Sequence, residues 1–259
     1  MLENLHTHTV RCGHAQGTEE EYVQAAVAAG FRVLGFSDHA PQPFPTDYRS
    51  KVRMTMDELP RYADTIHSLQ RQYKEQIFVP VGLETEFYPQ CFQELLLRAR
   101  DAGIEYMILG QHYLHNEYDL DPLFHTFQPT EDPAILEQYC NQVIDGIQTG
   151  AFTYIAHPDV VNFRGDIKEY DRQMLRICRE AKACNLPLEI NLWGMYNKKD
   201  YPLLHFWELA AQEGNAVVLG SDAHRPDVVK NTKCEAVALE LVKRYGLQLW
   251  EHIPIRGIL

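Results

Sequence analysis

Positive charge is in short supply in this 259-residue chain: 24 Lys and Arg stand against 36 Asp and Glu, a formal net charge of −12. Nucleic-acid backbones are gripped by lysines and arginines that neutralise phosphates, so this balance argues against such a partner. A small phosphate ester remains open, because a few local cations or metal ions suffice to hold one. Long apolar runs are also missing, none approaching the roughly 18 residues of a membrane span. The opening residues, with Glu3 and His6, lack a basic stretch followed by an apolar one, and the expectation is a cytoplasmic protein without a membrane partner. Six cysteines (Cys12, Cys91, Cys140, Cys178, Cys184, Cys234) lack C-x-x-C spacing and read as reduced thiols. No linker, low-complexity tract or repeat divides the chain. With 45% hydrophobic residues it reads as a single domain over residues 1–259.

Histidine is what the chain does have, and its placement is patterned. His6, His8 and His14 fall within nine residues just after the first strand-like segment, Leu2 to Leu5. Side chains at i and i+2 of a strand share a face, so His6 and His8 can reach one ion, with His14 on the following loop. A capping box, Thr18 to Glu21, predicts a helix to Ala29, stopped by Gly30. The strand Val33–Phe36 then delivers Asp38 and His39. A second capping box, Thr55 to Glu58, opens a helix whose Met56, Leu59, Tyr62, Ile66, Leu69 and Tyr73 make one apolar stripe. The strand 77–83 delivers Glu84, 106–110 delivers His112, and 152–156 delivers His157. The strand 187–191 ends in Asn191, and 216–220 hands over Asp222 and His224. Helices are expected at 91–102, 133–149, 167–183 and 202–213, a polar loop at 115–130, and a loop carrying Trp193, Tyr196, Lys198 and Lys199.

Strands alternating with helices predict a parallel α/β sheet with right-handed crossovers. In a flat seven-stranded sheet the outer strands would lie roughly 29 Å apart. Seven histidines and two acids at the ends of six of the seven strands would then never meet. In a barrel all the C-terminal ends face one cup. If those ends form one metal site, a distorted (β/α)7 barrel follows, with the site at the C-terminal ends of the strands. His67, His115, His125, His205 and His252, on helices, in loops or in the tail, read as ordinary histidines.

As a set, His6-Thr7-His8, His14, Ser37-Asp38-His39, Gly82-Leu83-Glu84, Gly110-Gln111-His112, Ala156-His157-Pro158 and Ser221-Asp222-Ala223-His224 resemble the PHP (polymerase and histidinol phosphatase) superfamily of metal-dependent phosphoesterases. Chain length and Glu189-Ile190-Asn191 look like its stand-alone histidinol-phosphatase branch. The resemblance implies three divalent ions: one on His6, His8, Glu84 and Asp222, a second on His14, His39 and His224, a third on Glu84, His112 and His157, with Glu84 bridging. Imidazole and carboxylate suit zinc, manganese or iron. It implies hydrolysis of a small phosphate monoester by a metal-bridging hydroxide, with L-histidinol phosphate as substrate and histidine biosynthesis as the setting. Another small phosphomonoester, such as a nucleotide or sugar phosphate, and a non-catalytic metal-binding barrel are the alternatives. Asp38 or the neighbourhood of His224 is read as the proton donor to the leaving group, with Asp38 alternatively the orienter of a ligand histidine. Arg164, seven residues past His157, resembles the family's phosphate-gripping arginine. Where relatives carry Asn-Thr-Ser-Gly and an arginine, this chain has Asn191-Leu192-Trp193-Gly194, Tyr196 and Lys198. These are the expected contacts for the rest of the substrate.

Overall fold

A computed structural model describes residues 1–119 and 124–258. In chain order its elements are β1 (Glu3–Asn4), α1 (Glu19–Ala28), β2 (Val33–Leu34), β3 (Phe36–His39), α2 (Leu59–Tyr73), β4 (Val81–Thr85), α3 (Phe92–Asp101), β5 (Tyr106–Leu109), β6 (Tyr113–Leu114), β7 (Phe124–His125) and α4 (Pro133–Gln148). They continue with α5 (Ile167–Ala183), β8 (Leu188–Asn191), α6 (Leu192–Tyr196), α7 (Leu204–Glu213), β9 (Ala216–Gly220), α8 (Thr232–Tyr245) and β10 (Gln248–Leu249). The capping signals act as expected. Glu21 and Thr18 close a reciprocal box on α1, and Asp132 caps α4 with Pro133 at its first position. The Thr55 box starts a 3₁₀ turn, Met56–Glu58, which leads into α2. Leu59, Tyr62, Ile66, Leu69 and Tyr73 of α2 are buried, as their spacing predicts. Two segments expected as loops carry structure. The antiparallel hairpin β6/β7 occupies part of the 115–130 stretch, of which 120–123 lie outside the described residues, and α6 carries Trp193 and Tyr196.

The strands are parallel apart from that hairpin. β3, β4 and β5 form one three-stranded ladder, β8, β9 and β10 another, and β1 pairs with β2. Isolated parallel bridges join Leu109 to Ile155, Ile155 to Leu188, Val33 to Phe78 and Thr7 to Ala223. Seven full strands closing one continuous ladder are therefore not what the structure has among the described residues. The expected fifth strand is reduced to a single bridging residue, Ile155. Its amide donates to the Pro187 carbonyl, and Pro187 has no N–H to continue the pairing. An unforeseen strand, β10, pairs along β9 from the C-terminal tail.

Alternation along the strands sorts the core into two layers. Val81 and Leu83 of β4, Met107 and Leu109 of β5, and Val217 and Leu219 of β9 pack with the helices. Tyr106, Ile108 and Val218 point the other way, into an inner cluster with Leu5, Tyr154, Ala156 and Ile253. Tyr106 is the largest of these crossings: its hydroxyl donates to the Leu5 carbonyl at 2.8 Å. Its ring lies so close to Gly82 that a Cβ there would sit 2.3 Å from a ring carbon. Overpacking a filled core costs about 1–3 kcal/mol, and this ring has nowhere to go. Gly82→Ala is thus expected to destabilise the fold by about 3 kcal/mol, read as a lowered midpoint in urea unfolding. An unchanged midpoint would show that the inner layer is looser than its packing indicates.

Candidate metal centre

The inward positions at the ends of these strands gather seven imidazoles round two carboxylates. His6 and His8 follow β1, His39 ends β3, Glu84 lies in β4, and His112 follows β5. His157 and Asp222 are held at positive φ, 30° and 48°, turning their side chains back over the strand ends. Glu84 is central. Its Oε1 lies 2.8 Å from His157 Nε2, 3.6 Å from His6 Nε2 and 3.7 Å from His112 Nε2. Its Oε2 lies 2.9 Å from His39 Nδ1 and 3.5 Å from His8 Nε2. Asp222 Oδ1 is 3.0 Å from His8 Nε2 and 3.5 Å from His6 Nε2. Burial alone would raise both carboxyls. The surrounding histidines instead hold Glu84 and Asp222 well below the usual carboxylate range.

Several atoms here lack a protein partner and are spaced as donors to a cation would be. His14 and His224 each spend Nδ1–H on a backbone carbonyl, of Cys12 at 2.8 Å and Asp222 at 3.0 Å. That leaves two unprotonated Nε2 atoms facing each other at 3.0 Å. Burial together with nearby His8 depresses both imidazoles, His224 to about 3, so neither supplies a proton to fill the gap. His6 Nε2, both ring nitrogens of His8, Glu84 Oε2 and Asp222 Oδ1 are buried without hydrogen-bond partners. Orphaned buried polar atoms are expensive, and a divalent ion satisfies them. Among the trios compact enough for one ion, with donor atoms within 4.8 Å of one another, are His6, His8, Asp222; His6, Glu84, His157; and His8, His39, His224. Cys12 also approaches His14 and His224. Its buried thiol is pushed up to about 12 by desolvation and by Asp38, which keeps it protonated.

Behind the ligands stands a layer that aims them. Glu189 Oε1 accepts from His6 Nδ1–H at 2.7 Å, freeing Nε2 to ligate, and its Oε2 accepts from the His157 amide and the Asn191 side chain. Asp38 accepts from the amides of Thr9 and His39 and from the Thr9 hydroxyl, and lies 3.5 Å from His8 Nδ1. It is wholly buried and does not line the cavity. Despite that burial its histidine neighbours hold it below the usual carboxylate range, and it stands behind His8, away from the cavity lining. Glu86 accepts from His112 Nδ1–H at 3.2 Å. Arg53 donates to Glu86 at 2.6 Å, to Glu117 and to the Ala40 carbonyl. Against the burial that would raise it, Arg53 and His112 keep Glu86 at about 2.

A cavity of about 310 Å³ opens over the cluster, walled by Trp193, Tyr201, Phe127, Tyr113 and His125. Of the expected substrate contacts, only Trp193 lines it, 5.5 Å ring to ring from His224. Asn191 is buried beneath and donates to Asp222 at 3.1 Å while capping α6. Arg164 is 54% exposed, bound to Asp200 at 2.5 Å and Asn162 at 2.6 Å, outside the cavity lining. Tyr196 and Lys198 are exposed and also outside it. The residues that sequence reading missed are Glu189, Glu86, Arg53, Tyr201 and His125. Glu189 had a usable signal: it sits two residues before Asn191 on the same face of β8. Arg53, on an irregular segment, had none.

A family model of the PHP domain matches residues 4–192. The chain is 32% identical over 241 residues, 91% of each chain, to a protein of Deinococcus radiodurans described as a probable histidinol-phosphatase. To the histidinol-phosphatase of Bacillus subtilis it is 28% identical over 250 residues, covering 85% of this chain and 92% of that one. Its fold matches a crystal structure of the histidinol phosphate phosphatase of Lactococcus lactis complexed with zinc, L-histidinol and phosphate. The TM-score is 0.73, with 20% identity over 95% of this chain and 94% of that one.

Two outcomes follow for metal binding. Glu189→Gln keeps a hydrogen-bonding group of the same size but loses the charge that aims His6. Metal affinity should fall about 10- to 100-fold, measured by competition with a chromophoric chelator; an unchanged affinity would leave Glu189 a purely structural residue. Although burial opposes it, the neighbouring carboxylates of Asp222 and Asp38 raise metal-free His8 to about 9. A metal ion must displace that proton, so uptake should strengthen with rising pH and level off near 9. Affinity flat between pH 7 and 9 would contradict it.

Proposed function

This chain belongs to the PHP domain family, and from that premise we infer that it is a metal-dependent phosphatase hydrolysing histidinol phosphate to histidinol and phosphate. The facing Nε2 atoms of His14 and His224, 3.0 Å apart with no proton between them, carry the reading most directly. They belong to a site built for cations, at the open end of a cavity large enough for a small ester. The relatives named as histidinol-phosphatases align along nearly their whole length, which supports the substrate and, with it, a role in histidine biosynthesis. The strands are read as a distorted (β/α)7 barrel. The separate inner cluster beneath the site and the bridge from Thr7 to Ala223, joining the segment after β1 to the segment after β9, support that closure. Among the described residues no helix is long and apolar enough to cross a membrane.

Three divalent ions would be held by His6, His8, His14, His39, Glu84, His112, His157, Asp222 and His224, and the nitrogen and oxygen donors suit zinc, manganese or iron. Bound there, such ions supply Lewis acidity to phosphoryl oxygens and make water a nucleophile at neutral pH. The chain's own residues do the rest. Glu84 would serve two ions at once, a role supported by its two oxygens facing different histidines. Glu189, Asp38 and Glu86 fix the rings of His6, His8 and His112, so the ligands need no rearrangement to bind. Trp193, Tyr201 and Phe127 offer apolar surface to the leaving group and exclude water from the phosphoryl end.

The test is a panel of phosphomonoesters assayed with metal-loaded protein, with histidinol phosphate expected to be turned over faster than aryl, sugar or nucleotide phosphates. Equal rates across the panel would remove the specific substrate and keep the reaction class. His157→Ala and Asp222→Ala should each lower aryl phosphate hydrolysis by about 10²-fold or more, and unchanged hydrolysis would leave only a metal-binding barrel. Fewer than two metal equivalents in fully active protein, by elemental analysis, would contradict the cluster.

A further inference from the structure

This inference rests on the reading above, in which the substrate's phosphoryl group lies against the ligand cluster. N–H donors on the cavity wall would add to the ions' hold on an anion there; Lys51 lies on that wall, and the guanidinium groups nearby are already engaged. Arg53 is bonded to Glu86, Glu117 and Ala40, Arg164 to Asp200 and Asn162, and Arg225 to Asp227. His125, an ordinary loop histidine by its sequence context, is different. It lines the cavity at the end of β7, its ring centroid 4.6 Å from Tyr113, 4.7 Å from Phe127 and 6.3 Å from His112. Its Nδ1 accepts the Phe127 amide at 3.1 Å, so Nδ1 carries no proton and the ring's N–H is on Nε2. Nε2 makes no hydrogen bond or ion pair among the described residues, and it is not one of the buried atoms without a partner. The N–H is therefore free and accessible, its direction fixed by the Phe127 amide on one side and the flanking rings on the other.

We propose that His125 is a substrate-binding residue whose Nε2–H donates a hydrogen bond to a non-bridging oxygen of the phosphoryl group, alongside the His112 ligand. No proton is transferred. The donor is the same for the ester and for released phosphate, so the contact belongs to the phosphoryl group and not to histidinol.

Calorimetric titration of inorganic phosphate into zinc-loaded protein reads this contact directly. His125→Ala should weaken phosphate binding about tenfold. His125→Gln, whose amide N–H falls near Nε2, should stay within about threefold of the parent, while the shorter His125→Asn should resemble alanine. KM for histidinol phosphate and for an aryl phosphate should rise together in His125→Ala, with metal content by elemental analysis unchanged. Unaltered phosphate affinity at full metal content would overturn the proposal. So would a rise in KM confined to histidinol phosphate, which places the contact on the leaving group, or a loss that glutamine does not restore. A parent protein that binds phosphate through His125 yet leaves histidinol phosphate intact would sink the substrate assignment and leave this one standing.

Discussion

Glu84 has five histidines within 3.7 Å of its two oxygens while being almost wholly buried, and the rest of the site is arranged around that crowding. A lone carboxylate so placed would be driven neutral by desolvation, and lone imidazoles would lose their protons. Together they remain charged or ligating because each meets the other at the sheet's end. The strands make room for the arrangement by omitting side chains. A Cβ on Gly110 would lie 2.1 Å from Glu84 Oε1, and one on Gly220 would lie 1.7 Å from Glu189 Oε1. Backbone φ is ordinary at both; what these positions demand of glycine is empty space beside a carboxylate.

The acids that aim the histidines form a second ring, and their own partners come from farther out. Glu189 reaches across from β8, Asp38 is fixed by the chain turning after β1, and Glu86 is tied through Arg53 to Glu117. Breaking one member of a buried charged network leaves its partner unpaired, which is why such groups matter out of proportion to their number. Here the network also links the irregular segment around Arg53 to the ligand His112. A loop with no regular structure thereby becomes part of the wall of the site.

Most of the residues that gather in the cluster were legible in the sequence because a parallel strand ends where its apolar run ends, and the next polar residue must sit at the rim. His39, Glu84 and His112 could be placed on that logic alone. Glu189 escaped it because it lies inside the run, pointing inward by the two-residue period, where only a buried partner makes a carboxylate tolerable. His125 escaped because its neighbours in the chain, unlike its neighbours in space, say nothing about metal or phosphate. Arg164 sits apart from the cavity lining for a plain electrostatic reason: Asp200, 36 residues on, takes its guanidinium. Strand β10 and the single-residue fifth strand depended on pairing between distant segments and on Pro187, neither of which shows in local periodicity.

His14 and His224 come from positions 210 residues apart, yet their ring nitrogens touch. An ion shared between them would be a clasp that closes nearly the entire chain into one loop. Because those donors converge only in the folded chain, binding an ion there would favour the folded state over the unfolded one. The same donors that prepare a phosphate for attack would then fasten the beginning of the polypeptide to its last quarter, making the molecule's persistence depend on the cation supply around it.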